Sequence, residues 1–292
     1  MRYFYIPFLL LVITYFTQGC NIINPKEPTP TYVHIDSFKF QPGNYSVDGS
    51  ASHKITSIWA YYNNNPVGVF ELPATFPVIT NGNTGLLTIV PGVTVDGLSA
   101  FNTQYPFYLG DTSTLTTNAG QIKSYLPKTG YTSYNHLIYN IDFENGGNFQ
   151  KIAGDTGIVV VTDSDKVFEG YHSGYILLTA AGDSSENIYQ KTAPFVTGNG
   201  FIELNYKCTV QFAIGVEALD ASGQLVTAYP EYIIGINPNS SWNKLYISLN
   251  STASKYLASF QGAQFRLAIK SVMPDNQSTG YVLLDNIKYI TD

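Results

Sequence analysis

Hydrophobic and polar positions alternate over short stretches along most of the chain. In residues 204–217, every second position is apolar and the positions between them are mostly polar. Alternation with a period of two puts successive side chains on opposite faces of a β-strand, so this stretch predicts one half-buried strand. Its predicted core face comprises Leu204, Tyr206, Cys208, Val210, Phe212, Ile214 and Val216.

The same alternation occurs in residues 244–250 and 264–270, and it predicts two more half-buried antiparallel strands. Their core positions are Leu245, Ile247, Leu249, Phe265, Leu267 and Ile269. Cys208 falls among core positions, so we interpret it as a small buried apolar residue and not as a reactive thiol.

Clusters of Gly, Asn, Asp, Ser and Pro separate the apolar runs at close spacing, and long helical periodicity is almost absent. This pattern predicts an all-β protein made of sandwiches or barrels. A polar, turn-prone stretch near residues 128–140 predicts a boundary between two domains, residues 32–130 and 138–292.

The first domain has about one hundred residues with short predicted strands, which favours an immunoglobulin- or fibronectin-like sandwich. Trp59 lies in the middle of a predicted strand, and we interpret it as a core anchor. The residues Asn63, Asn64 and Asn65 predict a hairpin tip, because Asn tolerates a positive φ angle.

The amino-terminal segment is apolar from residue 3 to residue 16, which is too short to span a membrane. Together with the positive charge of Arg2, it has the features of a secretory signal peptide. A small residue, Gly19, directly precedes Cys20, and this arrangement resembles a bacterial lipoprotein signal. The alternative is ordinary secretion with a free thiol at Cys20.

The lipoprotein resemblance implies cleavage before Cys20, so residues 1–19 form the signal peptide. It also implies acylation of Cys20 by chains such as palmitate, which would anchor the protein stably in the bacterial outer membrane. Residues 20–31 contain three prolines and are interpreted as an extended lipidated tether. The resemblance leaves open whether the protein faces the periplasm or the outside.

Composition narrows the classes of partner. The net charge is −6 and no cluster of Lys and Arg occurs, so we expect no nucleic-acid partner. Charged residues make up only 12% of the chain, whereas aromatic residues make up 14% and include 23 tyrosines. Tyrosine suits strands and surfaces that face sugars or proteins.

Residues 59–79 and 82–108 resemble the amino-terminal domain of outer-envelope lipoproteins from gliding and gut-type bacteria. In these proteins a Trp-centred strand precedes a turn and a G-x-F-x-LP strand, followed by a PG hairpin and a YPFY segment. The resemblance implies a location but no activity.

The second domain resembles the β-jelly rolls of carbohydrate-binding modules. The resemblance rests on IDFENG at 141–146, VFEGYHSGYILL at 167–178 and YVLLDNIKYI at 281–290. It implies that the first and last strands pair and that a structural Ca²⁺ lies beside them. The ligands it implies are Glu144, Ser173, Gly174 and Asp285. The alternative is that the two carboxylates only cap strand ends or bond to turns.

The same resemblance implies a sugar site in which aromatic rings stack on pyranose faces and polar side chains bond to hydroxyl groups. Trp242 is interpreted as a packing residue. The candidate ligand-binding residues are Tyr171, Tyr189, Gln211, Tyr229, Tyr232, Tyr246, Arg266 and Lys270.

These observations favour a non-catalytic, membrane-anchored lipoprotein that binds a glycan through its jelly roll. The first alternative is an accessory subunit that docks proteins in an outer-membrane secretion, adhesion or gliding complex. The second is a jelly-roll enzyme that degrades polysaccharide, but the four histidines lack zinc spacing and no G-x-S-x-G motif occurs. Glycoside hydrolysis needs two facing carboxylates, and the sequence alone favours no pair, for example Glu203 with Glu217.

Overall fold

The computed structural model describes residues 27–98, 102–116 and 118–292. The predicted signal peptide, the acylation site at Cys20 and most of the predicted tether lie outside the described residues. The described part is built almost entirely of β-strands, which confirms the all-β prediction. No described helix is long and apolar enough to cross a membrane.

The first domain is a sandwich of a three-stranded and a five-stranded sheet. The three-stranded sheet contains β1 (Thr31–Ile35), β5 (Ala74–Val78) and β9 (Ile122–Ser124), and the five-stranded sheet contains β3 (Ser57–Tyr62), β4 (Asn65–Glu71), β6 (Gly85–Thr94), β7 (Asn102–Gln104) and β8 (Asp111–Leu115). Two short strands, β2 (Lys39–Phe40) and β10 (Lys128–Thr129), pair in parallel, and α1 (Tyr45–Asp48) is a single helical turn.

Alternating residues of both sheets form the core of this domain. Val33 and Ile35 of β1 pack with residues of β3, β5, β6 and β8. The remaining buried members are Phe38, Ile58, Ala60, Ala74, Phe76, Val78, Leu87, Ile89 and Leu115. The two-sheet sandwich is therefore confirmed, while its assignment as immunoglobulin-like stays a prediction.

The hairpin between β3 and β4 has the turn that the sequence predicts. Asn63 and Asn64 have φ angles of 48° and 65° and connect the two strands. Trp59, in contrast, is not a core anchor of this sandwich. Its neighbours Ile58 and Ala60 are in the core. Because successive side chains of a strand point to opposite faces, Trp59 points to the outer face of the sheet, where it is only partly buried.

The second domain is a sandwich of two six-stranded sheets. The sheet that we call the back sheet contains β11 (His136–Ile141), β13 (Val159–Val161), β14 (Ser173–Leu178), β17 (Gly200–Cys208), β20 (Asn239–Ser248) and β22 (Gly280–Thr291). The front sheet contains β12 (Phe149–Gly154), β15 (Ser184–Tyr189), β16 (Ala193–Pro194), β18 (Phe212–Leu219), β19 (Glu231–Ile236) and β21 (Gln264–Val272).

Successive strands of this domain pass repeatedly between the back and the front sheet, as in a jelly roll. The first strand, β11, pairs with the last strand, β22, in antiparallel orientation. Both features agree with the expectations drawn from the sequence. The large core between the sheets contains Cys208, which is fully buried as predicted.

Residues 204–217 form two strands and not the single predicted strand. The chain leaves the back sheet after β17 and enters the front sheet at β18. All seven predicted core residues of this stretch are nevertheless buried in the same core. In both strands the even-numbered residues point into the space between the sheets. The alternation in the sequence therefore continues without a break where the chain crosses from one sheet to the other.

One helix of this domain, α2 (Asn250–Ser259), was not predicted. Its buried positions Ala253 and Tyr256 are three residues apart, and Leu257 packs against the core one position later. This spacing is that of an amphipathic helix, but the segment is short and rich in Ser and Thr, which favour helices weakly.

The first domain covers the part of the outer face of the back sheet that is formed by β17, β20 and the end of β22. An apolar cluster lies in this interface. It packs residues of the first domain, together with Tyr131, against side chains of β17, β20 and β22. The ring centroids of Tyr105 and Tyr246 are 4.9 Å apart, and those of Tyr105 and Phe201 are 5.2 Å apart. The cluster also contains Val93, Val95, Phe107, Tyr108, Tyr131 and Ile290.

A buried ionic cluster lies in this interface. The Glu203 carboxylate accepts hydrogen bonds from the hydroxyls of Tyr105 (2.7 Å) and Tyr131 (2.8 Å), and it forms ion pairs with Lys244 (2.7 Å) and Lys288 (3.5 Å). Burial alone would raise the pKa of Glu203, but the two ammonium groups outweigh it and lower this pKa to about 2. The interface therefore holds a carboxylate that stays ionised.

Candidate functional site

The candidate site is the outer face of the front sheet, which takes no part in the interface with the first domain. Its centre carries small residues. The register places Ala268 of β21 beside Gly215 of β18, and Ala213 of β18 beside Gly235 of β19. A Cβ atom at Gly215 would collide with the backbone of Glu231 and Tyr232, so this position has room only for glycine. Small side chains leave a shallow trough along the sheet.

Tyr232 lies across this trough. It pairs with Gly215 in the register of β18 and β19, and its hydroxyl donates a 2.7 Å hydrogen bond to Glu186 Oε1. Glu186 is on β15, and β21 and β18 separate that strand from β19. Three strand spacings amount to about 14 Å, so the tyrosine must lie flat over the small residues to reach this partner. A flat, partly exposed ring suits the apolar face of a pyranose.

Lys270 lies next to this ring. Its Nζ atom is 5.6 Å from the ring centroid of Tyr232 and 3.7 Å from Glu186 Oε2. Burial, and then the hydrogen bond to Glu186, raises the pKa of Tyr232, so its hydroxyl stays protonated and keeps donating. Tyr232, Lys270 and Glu186 thus form one connected polar group in the middle of the face.

A second polar group lies four residues from Lys270 along the same face of β21. Arg266 pairs in register with Glu217 of β18, and its Nε donates a 2.6 Å hydrogen bond to Glu217 Oε2. A second guanidinium nitrogen also contacts that oxygen. The guanidinium group is planar and has five donors, so it retains N–H groups for a ligand after pairing with one oxygen.

The opposite end of the trough contains Gln211. Its Nε2 atom donates to Asn237 Oδ1 over 3.3 Å. A shallow cavity of about 160 Å³ lies here, bounded by Gln211, Phe212, Ala213, Gly235, Lys270, Ser271 and Val272. From Arg266 to Val272 the outer face of β21 extends about 20 Å, a length that suits an extended chain of several sugar units.

Four of the eight predicted ligand residues, Gln211, Tyr232, Arg266 and Lys270, therefore lie on this one face. Tyr229 is 82% exposed and lies in the loop that leads into β19, at the edge of the front sheet. Tyr171 is 79% exposed, but it lies in the turn before β14 of the back sheet. Tyr171 thus does not belong to the strands of the front sheet.

Two predicted ligand residues are corrected by the structure. Tyr189 is buried in the core of the jelly roll, where its ring contacts Phe149 and Tyr139. Tyr246 is buried in the domain interface, where its hydroxyl is 2.9 Å from that of Tyr108. Neither side chain can contact a ligand on the outer surface, so neither belongs to the site.

The predicted calcium ligands lie around the turn at residues 168–173. Glu144 Oε1 accepts hydrogen bonds from the backbone N–H groups of Tyr171 (2.7 Å) and His172 (3.0 Å), and Glu144 Oε2 lies 2.8 Å from His172 Nδ1. Burial would raise the pKa of Glu144, but these hydrogen bonds lower it. The carboxylate caps the turn.

Asp285 binds the same turn from the other side. Its Oδ2 atom accepts from the Ser173 hydroxyl (2.6 Å) and the Glu169 N–H group (3.3 Å), and its Oδ1 atom accepts from the Asn286 N–H group (2.7 Å). Gly174 has no room for a Cβ atom because the Phe143 ring packs against it.

This arrangement does not fit a calcium ion as it stands. Calcium takes six to eight oxygen ligands. Here N–H and O–H donors already occupy the oxygens of Glu144 and Asp285, and in the described part of the chain no group of three or more His, Cys, Asp and Glu residues could hold a metal. The calcium site stays an untested prediction of the sequence resemblance, and the hydrogen bonds of these oxygens do not favour it.

Sequence reasoning missed Glu186 and Glu217, the two carboxylates that hold Lys270, Tyr232 and Arg266 in place. Glu217 alternates with core residues in the sequence, so its outward direction could be predicted. Its pairing with Arg266, 49 residues away, depends on strand register, which the sequence does not specify. The ion pairs of the face were therefore beyond prediction.

No protein-family model matches this sequence, and no curated protein matches it. Among solved structures, the chain is similar to a family 61 carbohydrate-binding module in complex with β-1,4-galactotriose, with 11% identity and a TM-score of 0.37, over 52% of this chain and 95% of the module. It is also similar to a carbohydrate-binding module of the β-sandwich superfamily, with 15% identity and a TM-score of 0.39, over 80% of this chain and 85% of the other.

A further similarity is to the xylan-binding domain CBM22-1 of Xyn10C from Paenibacillus barcinonensis. It has 14% identity and a TM-score of 0.34, over 55% of this chain and 96% of that domain. Because these similarities are distant, function is inferred from the geometry of the front sheet alone.

Proposed function

We propose that this protein is a non-catalytic glycan-binding protein whose sugar site is the outer face of the front sheet. The observation that carries the proposal is the position of Tyr232, flat over Gly215 and Ala268 and between the polar groups of Lys270 and Arg266. The ring offers an apolar surface, and the polar groups around it offer donors and acceptors for hydroxyl groups. Sites for small polar ligands combine these two features.

The charges on this face favour a neutral sugar chain. Lys270 is near Glu186, and Arg266 is paired with Glu217, so each cation is balanced by a carboxylate. A ligand with a high negative charge would have to compete with these carboxylates. Hydroxyl groups can instead bond to donors and acceptors of the same ion pair.

The direct test is affinity electrophoresis of the purified protein in gels that contain one polysaccharide each, chosen from neutral and acidic types. We expect at least one neutral polysaccharide to retard the protein. If every gel leaves its mobility unchanged, the glycan proposal is wrong.

The absence of catalysis is part of the proposal. Glu186 accepts a hydrogen bond from Tyr232, and Glu217 accepts from Arg266, so both carboxylates of the face hold other side chains in place. Glu203 lies on the covered face, on the other side of the core from Glu217, so these two cannot act on one bond. Incubation with a bound polysaccharide should release no reducing ends, and release that stops in Glu217→Gln would contradict this.

Docking of a partner protein is the second candidate, and one observation favours it. The strand β13 is an edge strand of the back sheet, and β14 is its only partner among the described strands. Its residues Val159 and Val160 are 54% and 40% exposed. An exposed apolar edge strand can accept a further strand from another chain. Val160→Lys should abolish co-purification of such a partner while leaving the retardation by polysaccharide unchanged.

The membrane anchor at Cys20 remains part of the proposed function on the basis of the sequence signal. Mass spectrometry of the amino-terminal peptide from membranes of the native host tests it. We expect a diacylglycerol-modified Cys20 as the first residue, and an unmodified peptide would remove the anchor from the proposal.

A further inference from the structure

A second cavity, which we call the interface cavity, lies where the first domain meets β20 of the back sheet. Its volume is about 140 Å³, well above the roughly 10–15 Å³ that one water molecule requires. Both domains contribute to its wall, which consists of Lys54, Thr56, Thr94, Gly97, Tyr206, Asn243, Lys244, Leu245 and Tyr246. It is on the opposite side of the jelly roll from the proposed sugar site.

The wall of the interface cavity contains two lysines and no carboxylate. The side chain of Lys244 is only 2% exposed. Its Nζ atom forms a 2.7 Å ion pair with Glu203 Oε2, and it has no further hydrogen-bond partner among the described residues. A buried ammonium group whose N–H donors are unsatisfied is costly, so a further acceptor is expected beside it.

The buried cluster next to the cavity has an excess of positive charge. One carboxylate, Glu203, faces two ammonium groups, those of Lys244 and Lys288. Lys288 donates to the carbonyls of Asp48 and Ser50 and to the hydroxyl of Tyr131, so its donors are satisfied. The cluster therefore has a net charge of +1, and of its two lysines Lys244, which lines the cavity, is the one whose N–H donors are not satisfied.

Neighbouring acids do not correct this imbalance. Asp48 is partly exposed on the far side of Lys288, where it accepts a hydrogen bond from Asn135. Asp96 accepts a hydrogen bond from the N–H group of Ser248, and burial raises its pKa. Neither carboxylate is part of the cavity wall.

The rest of the wall offers donors that can turn toward a ligand. The exposed Lys54 donates from Nζ to Asn243 Oδ1 over 2.7 Å, and it is the entry-side cation of the cavity. The hydroxyls of Thr56 and Thr94 are 3.1 Å apart, and the Thr94 hydroxyl donates to Asn102 Oδ1 over 2.8 Å, so both would have to turn away from these partners to donate to a ligand. Hydroxyl rotors and a lysine at the rim can reorient at little cost.

We propose that the interface cavity binds a small anionic group, either a free oxyanion such as phosphate or sulfate or the carboxylate of an acidic sugar. Lys244 and Lys54 supply the charge, and Thr56 and Thr94 supply hydroxyl donors. The ligand would contact both domains and hold them together. This site is separate from the front sheet, so a failure of the proposed glycan binding would not affect the proposed anion binding.

The alternative occupant is water. The buried Oδ1 atom of Asn205 also lacks a partner among the described residues, and Asn205 pairs in register with Lys244. A water molecule between these two side chains would satisfy both hydrogen-bonding groups. It would not balance the charge, and this difference makes the two occupants distinguishable.

The experiment is calorimetric titration of the purified protein with phosphate, sulfate, glucuronate or glucose, at millimolar concentrations and at an ionic strength held constant with sodium chloride. Melting temperatures are measured in parallel. We expect saturable binding of at least one anion, no binding of glucose in this range, and a rise of about 3–5 °C in melting temperature at ten times Kd. Binding of glucuronate alone would identify a sugar carboxylate, and binding of phosphate or sulfate a free oxyanion.

Two variants of equal charge make the test specific. Lys54→Gln removes an exposed cation of the cavity, so folding should be retained, and we expect at least tenfold weaker anion binding. Lys123→Gln removes an exposed lysine of β9 at a distance from the cavity and should bind as the unmodified protein does. Absence of saturable anion binding, which is the result for water alone, or equal binding by Lys54→Gln, would overturn the proposal.

Discussion

The two outer faces of the jelly roll carry similar groups of charged and tyrosine side chains, but the group on the back sheet is buried and the group on the front sheet is partly exposed. On the back sheet, Glu203 lies among Lys244, Lys288 and tyrosines, and the first domain seals the group from water. On the front sheet, Glu186 and Glu217 lie among Lys270, Arg266 and a tyrosine, and the group remains partly exposed. Burial, and not residue type, therefore decides which of these ionic groups holds domains together and which is available to a ligand.

The largest expected effect is the loss of stability in Glu203→Gln, which is compared with the same substitution at Glu217 on the other face. Glu203→Gln leaves Lys244 and Lys288 buried without a counter-charge, which should cost about 3–5 kcal/mol of unfolding free energy. Glu217→Gln breaks a partly exposed pair and should cost about 1 kcal/mol or less. Urea denaturation measures both values. Equal losses in the two variants would contradict the difference between the faces.

Acid should act on the covered face in a defined range. The pKa of Glu203 is lowered to about 2 in the folded state, from an ordinary value of 4.5. A lowered carboxyl pKa contributes stability that is present above pH 4.5 and is lost as the pH falls toward 2, here about 3 kcal/mol. Urea denaturation at pH 6 and pH 3 should show about 2 kcal/mol of this loss, because the folded-state carboxylate is still ionised at pH 3, and Glu203→Gln should lack it. An identical pH dependence in both proteins would remove Glu203 as its source.

Removing one hydroxyl from the covered face should have a smaller effect. The Tyr131 hydroxyl donates to Glu203 and accepts from Lys288 over 2.6 Å, so Tyr131→Phe removes bonds to two charged groups. We expect a loss of about 1.5–3 kcal/mol. The matched control is Tyr134→Phe, because Tyr134 donates to a backbone carbonyl at the surface. If urea denaturation gives Tyr131→Phe an unfolding free energy within about 0.5 kcal/mol of the unmodified protein, roughly the scatter of surface variants, this role of Tyr131 in the cluster is contradicted.

Calcium should have the smallest effect. Because N–H and O–H donors already occupy the oxygens of Glu144 and Asp285, we expect addition of Ca²⁺ or a chelator to change the melting temperature by less than about 1 °C. Differential scanning calorimetry measures this change. A rise of several degrees with Ca²⁺, abolished in Glu144→Gln, would establish the metal site that the sequence resemblance implies.

The sequence predicted the local structure well where alternation was strong. The core residues of β17, β18, β20 and β21 follow directly from a period of two, and so does the outward direction of Arg266 and Lys270. The turn at Asn63 and Asn64 follows from the tolerance of Asn for positive φ. These features depend only on neighbouring residues.

Features that depend on distant residues could not be predicted. Tyr232 and Tyr246 both occupy polar-face positions of their strands, yet one lies open on the front sheet and the other is sealed under the first domain. Only the docking of the first domain on the back sheet separates them, and that docking depends on contacts between residues more than one hundred positions apart, such as Tyr108 with Tyr246.

The most direct test of glycan binding by the front sheet is a calorimetric titration. The polysaccharide that most strongly retards the protein in affinity electrophoresis is titrated into the unmodified protein, Tyr232→Ala and Tyr134→Ala. Tyr134 is 57% exposed and lies outside both sheets of the jelly roll, so its variant controls for the loss of a surface ring. We predict an affinity at least about tenfold lower for Tyr232→Ala, equal to about 1.4 kcal/mol, and an unchanged affinity for Tyr134→Ala. Equal affinities of Tyr232→Ala and the unmodified protein would show that the sugar binds elsewhere.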